Sequence, residues 1–158
     1  MKIIKTLMVA VIFLVTACAP LGRMPVFAYV SSSIQSAPEP LPEDYWQSPA
    51  ETLLAGKGDC EDKAFLLWWL WKQRGIESNV VFGVFDGVGH AWVELTEGGH
   101  VYLFDPSFGV VLMDDATLAL MYRRRTGSFA LAIKYLAYEE RTGIRGACAD
   151  YFRYIRRR

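Results

Sequence analysis

Eight apolar residues in a row, Ala64 to Trp71 (AFLLWWLW), constrain this chain more than any other stretch. In a helix they cover nearly every side, and a helix without a polar face belongs at the buried centre of a domain. Its start is written just upstream, as Gly56-Lys57-Gly58-Asp59-Cys60-Glu61-Asp62-Lys63. Asp59 has the character of an N-cap, and Asp62, three residues on, completes a box-like arrangement with it. Gly75, after Arg74, closes the helix. Cys60 then falls at the first helical position, where unpaired backbone N–H groups and the helix dipole favour a thiolate. Asp59, Glu61 and Asp62 oppose that charge, so a reactive Cys60 needs a cation or a general base from elsewhere. On this stretch alone, a structural cysteine and a nucleophile are both open.

The flanking sequence supplies the partners of that helix. Ser48-Pro49-Ala50-Glu51 predicts a short helix through Leu53 and Leu54, with Ser at the N-cap, Pro at the first position and Glu at the third. Gly56 is placed to end it. Three strand-like segments follow: Asn79 to Phe85, His90 to Leu95 and His100 to Asp105. The connections Asp86-Gly87-Val88-Gly89 and Thr96-Glu97-Gly98-Gly99 are short and glycine-containing, which predicts antiparallel hairpins. A central buried helix packed on an antiparallel sheet makes the fold class α+β. Beyond Pro106, Asp114 or Asp115 is a candidate cap for a helix over Ala116 to Arg124. Phe129 to Tyr138 reads as helix with strand as the alternative, and Ala147 to Arg158 as a short helix with a basic tail.

The first 17 residues, MKIIKTLMVAVIFLVTA, join two lysines to an apolar run and then small residues, a secretory signal pattern too short for a comfortable membrane span. Val15-Thr16-Ala17-Cys18 resembles a bacterial lipobox, so Cys18 is the expected lipidation site. A lipid anchor on the periplasmic face of an outer membrane, where the organism has one, is the expected location. Residues 18–44 hold five of the seven prolines and read as a tether, with Val26 to Val30 an apolar patch able to dock. The folded domain is expected over 45–145 and a basic tail over 146–158. Loss of the leader would remove Lys2 and Lys5 from 17 basic residues and nothing from 17 acidic ones. A chain so close to neutral gives no sign of a nucleic-acid partner. With Cys18 acylated, Cys60 and Cys148 remain; a bridge between them would consume the thiol at the helix start, and free thiols are expected.

A cysteine nucleophile needs a base, and the base an orienting partner. Only His90 and His100 are available. In an antiparallel pair joined at Thr96 to Gly99, the start of one strand lies beside the end of the next. His90 is therefore expected beside Asp105, donating Nδ1–H to its carboxylate. His100 sits at the turn and reads as a solvated hairpin residue.

Cys60, His90 and Asp105 in this order resemble the transglutaminase-like cysteine hydrolases, a circularly rearranged relative of papain-like architecture. The nearest resemblance is to bacterial transglutaminase-like cysteine proteinases, periplasmic enzymes with a calcium-dependent, adhesin-cleaving branch. It rests on Trp46-Gln47-Ser48-Pro49-x-Glu51-Thr52, Gly58-Asp59-Cys60-Glu61-Asp62-Lys63-Ala64, Gly89-His90-Ala91-Trp92-Val93 and Asp105-Pro106. The resemblance implies a Cys60 nucleophile, a His90 base and an Asp105 partner acting on peptide or amide bonds of an envelope substrate. It also implies an oxyanion donor at the Cys60 backbone N–H, with Gln47 or Trp46 as candidates for a second. No cofactor is required; calcium is a candidate at Asp59 and Glu61, the positions that match the calcium-dependent branch. Two carboxylates are short of the six to eight oxygens calcium takes. Acyl transfer to an amine and a non-catalytic binding module on the same fold are the alternatives. The chain carries little beyond the core for gripping a large protein.

Overall fold

A computed structural model describes residues 22–38, 44–113, 122–124 and 129–144. The signal-like segment with Cys18, the helix start at Asp114 or Asp115, and the segment Ala147 to Arg158 with Cys148 lie outside the described residues.

Helix α1 (Arg23–Ser33) comes first and leads into the two-residue strand β1 (Gln35–Ser36). Helix α2 (Pro49–Ala55), strand β2 (Lys57–Gly58) and helix α3 (Cys60–Lys72) follow. Both α2 and α3 begin with complete capping boxes, Ser48 with Glu51 and Asp59 with Asp62. Gly56 ends α2 in the left-handed conformation, at φ +63°, where glycine carries no Cβ penalty. Strands β1 and β2 pair in parallel, Gln35 with Lys57 and Ser36 with Gly58, tying the N-terminal segment to the residues just before Cys60.

The main sheet takes β3 (Asn79–Phe85), β4 (Val88–Glu97), β5 (His100–Asp105), β6 (Val110–Met113) and β7 (Tyr122–Arg124) in the order β6-β5-β4-β3-β7, antiparallel throughout. Phe85 pairs with Val88 across Asp86-Gly87, both at positive φ, and Glu97 with His100 across Gly98-Gly99. These tight two-residue loops match the twist of the strands they join. Helix α4 (Phe129–Thr142) completes the described elements.

Strand alternation sorts the sheet residues into two layers. Val80, Phe82, Ala91, Val93, Leu95 and Phe104 share a core with α3, α1 and Trp46. Within it Phe65 stacks on Tyr138 of α4 at 4.2 Å, and Trp46 stacks on Phe82 at 5.0 Å. Val81, Trp92 and Tyr122 form a smaller cluster with Phe85, Leu103 and Leu112. Trp68 and Trp71 are buried on α3, while Trp69 and Leu70 are half-buried, so the helix is central as expected.

Two differences from the sequence reading have clear causes. Arg23–Ser36, inside the expected tether, is folded onto the domain. Val26, Phe27, Val30 and Ile34 are buried at helical spacing, with Phe27 edge-on to Phe104 at 5.4 Å. Pro25 is tolerated because it falls in the first turn, where backbone N–H groups have no helical acceptor. Tyr122–Arg124, expected as the end of a helix, is a strand, because its residues pair with Phe85, Val84 and Gly83 along the edge of β3. Phe129 to Tyr138 is helical, continuing to Thr142.

Candidate active site

Cys60 is a free thiol at the start of α3, partly buried at the edge of the main core. The local geometry is set by Asp62, which has no exposed surface. Its Oδ1 accepts the Gln47 backbone N–H at 2.7 Å, and its Oδ2 accepts Gln47 Nε2 at 2.6 Å and the Asp59 backbone N–H at 3.3 Å. Gly58 lies against the same side chain: a Cβ there would sit 2.6 Å from Asp62 Cβ and 2.8 Å from Oδ2. The glycine before Asp59-Cys60 thus makes room for the carboxylate that fixes the helix start. Burial, with Asp59 nearby, raises Asp62 to about 6, against the lowering effect of the Gln47 hydrogen bonds.

The Cys60 Sγ–H donates to Glu61 Oε2 at 2.8 Å. Burial first, and then the Glu61 carboxylate, pushes the thiol well above the ordinary cysteine range, overriding the helix start; the Ala91 backbone N–H pulls the other way. Glu61 is itself raised to about 7 by burial and by Asp59. In this state Cys60 is a protonated thiol held by its neighbour.

His90 Nε2 lies 2.7 Å from Asp105 Oδ2, with side-chain exposures of 8% and 0%. The sequence predicts Nδ1 at this carboxylate; the structure places Nε2 there and leaves Nδ1 as the second ring nitrogen. Since Val93 pairs with Phe104, His90 lies a step past the residue level with Asp105, and the carboxylate reaches it diagonally. Asp105 is held further by the Tyr122 hydroxyl, donating to Oδ2 at 2.8 Å, and by the Ser107 and Phe108 backbone N–H groups, donating to Oδ1 at 2.9 and 3.3 Å. Burial and the Asp105 charge push the Tyr122 phenol up, keeping it a donor. The sequence does not single out Tyr122, because Ala116 to Arg124 predicts a helix where the structure has a strand.

The Ala91 backbone, next along the chain from His90, is an influence from β4 that favours the thiolate. The His90 ring lies among Phe85, Trp92, Phe108 and Tyr122, in the layer away from α3. No Cys60–His90 hydrogen bond is present among the described residues, where the thiol is bonded to Glu61. The two oxyanion candidates are engaged elsewhere: Trp46 Nε1 donates to Asp44 at 3.1 Å, and Gln47 Nε2 donates to Asp62 and, at 3.4 Å, to the Lys57 carbonyl. Asp59 and Glu61 are adjacent, but among the described residues no three His, Cys, Asp or Glu side chains gather where a metal ion could be held. His100 pairs with Glu97 at the β4–β5 turn, at the far end of β4 from His90.

Comparison with known proteins agrees with this architecture. The chain is similar in structure to Legionella pneumophila LapG, with TM-score 0.62 and 18% identity over 76% of this chain and 75% of that one. The calcium-bound form of LapG gives 0.60 and 18% over 75% and 77%, and the EGTA-treated form 0.56 and 19% over 65% and 59%. Comparison with curated protein sequences gave no match. The Transglutaminase-like superfamily matches residues 24–109, a span that runs from α1 through Cys60, His90 and Asp105. This chain belongs to the transglutaminase-like superfamily.

Proposed function

We propose that this protein is a cysteine hydrolase acting on peptide or amide bonds, held in the bacterial envelope by lipid on Cys18. The reading is carried by one observation: a buried His90–Asp105 pair in the same domain as a free thiol at a capped helix start. With Nε2 bonded to Asp105, Nδ1 is the nitrogen left to receive a proton. The Cys60 hydrogen leaves Glu61 and passes to His90, and sulfur attacks the amide carbonyl. The Cys60 backbone N–H, without a helical acceptor, faces the developing oxyanion. Gln47 can add a second donor by exchanging its long bond to the Lys57 carbonyl for the oxyanion. His90 returns the proton to the leaving amine, and water then releases the acyl group from sulfur. If an amine takes the place of water, the same thioester gives acyl transfer; ammonia release against isopeptide formation on a glutamine peptide separates the two.

Asp59 and Glu61 are the carboxylates that would contribute to a calcium site. Two carboxylates leave most of the coordination to backbone oxygens or water.

A peptide-like electrophile should label Cys60 at least tenfold faster than a free cysteine peptide, and the enhancement should vanish in His90→Ala. Equal rates in the two proteins would sink the hydrolase reading in favour of a binding module. Anchoring is tested separately: a fatty-acid label should enter the expressed wild-type chain and be absent from Cys18→Ser.

A further inference from the structure

Beside His90, on the face of the sheet away from α3, lies a recess of about 300 Å³ lined by Phe85, Asp86, Val88, Gly89, His90 and Phe108. Its walls are apolar and its outer edge is open. Phe108 is 56% and Val88 69% exposed, both unusual for side chains of this kind so close together. Phe108 and Phe85 hold their rings 5.2 and 5.7 Å from the His90 ring, so the recess continues the catalytic pair rather than standing apart from it. Both walls are fixed: the Asp86-Gly87 turn holds Val88 opposite Phe85, and the Phe108 N–H is bonded to Asp105. A volume near the lower end for ligand sites admits a side chain rather than a folded partner.

We infer that this recess is a specificity pocket for an apolar side chain, aromatic or branched aliphatic, on the residue that leaves with the amine. The inference rests on the hydrolase reading above. His90 hands its proton to the leaving nitrogen, so the residue bearing that nitrogen lies on the imidazole side of the site. The acyl half stays with the sulfur and the α3 start. The side chain next to the leaving nitrogen therefore meets Phe108, Phe85 and Val88. Asp86 at the rim is the one acidic lining group, and it sets the competing expectation that a basic side chain is preferred.

The test is cleavage of a proteome-derived peptide library by the purified full chain, reading the new amino termini by mass spectrometry. Phe, Tyr, Leu and Ile are expected at the first position of the new termini, about tenfold over background. The preference should fall at least threefold in Phe108→Ala and in Val88→Ser, with folding checked by thermal melting. Cleavage without preference at this position, preference for Lys or Arg, or an unchanged profile in both variants overturns the pocket and leaves the hydrolase standing. A library left uncut by wild type overturns both.

Discussion

Asp105 accepts hydrogen bonds from His90, Tyr122 and two backbone amides, and so joins β4, β5, β7 and the loop after β5 at one carboxylate. Glu61 is the opposite kind of residue, ionisable at a place that disfavours its charge. Raised from an ordinary 4.5 to about 7, it keeps a proton in the folded chain that the unfolded chain releases. Between those values the folded state binds more protons, so stability falls as pH rises, and the full penalty is present above about 7. Glu61→Gln, which mimics the protonated form, should therefore leave the melting temperature near wild type at pH 5. At pH 8, in chelator-treated protein, it should raise stability by on the order of 1–3 kcal/mol. A gain of equal size at both pH values would show that burial of the charge is not the cause.

At the scale of the element, the start of α3 depends on a close approach that one atom would block. Gly58→Ala puts a Cβ against the Asp62 side chain, displacing the group that binds Gln47 and completes the cap. A loss of about 1–3 kcal/mol is expected, the range for overpacking, with slower labelling of Cys60. An unchanged melting temperature in urea or heat would remove Asp62 as the organiser. Caps of this kind are short-range, and the starts of α2 and α3 were readable from Ser48, Glu51, Asp59 and Asp62. The pairing of His90 with Asp105 was readable from the connection at Thr96 to Gly99. What was not readable depends on partners far along the chain. Tyr122–Arg124 is strand only because the edge of β3 is there to pair with it, and α1 was hidden by proline and serine around four well-spaced apolar residues. The choice of Nε2 over Nδ1, and the bond from the thiol to Glu61, are side-chain geometries that no spacing rule specifies.

For the whole molecule, the main consequence is that the domain begins near Arg23 rather than Tyr45. Val26, Phe27, Val30 and Ile34 belong to the main core, and the Trp71 indole donates to the Arg23 carbonyl at 3.3 Å. A chain starting at Arg23 should melt cooperatively, close to the longer form. A chain starting at Pro38 loses all four core side chains, each worth about 2 kcal/mol or more by large-to-small standards, and should show no cooperative transition by circular dichroism. Equal melting of the two would restore the picture of a loose arm. The start of α1 also has a direction. Arg23 bridges to Glu97 at 2.7 Å, at the end of β4, while His90 is near its beginning. Seven residues of strand put these points about 23 Å apart. Under the proposed anchoring, the five residues from Cys18 to Arg23 span at most about 18 Å. The domain would then stand on the membrane on a short leash attached at the β4–β5 turn, with His90 and the recess beside it at the opposite end. It would meet substrates that project from the surface or pass above it, and not those lying in the bilayer plane.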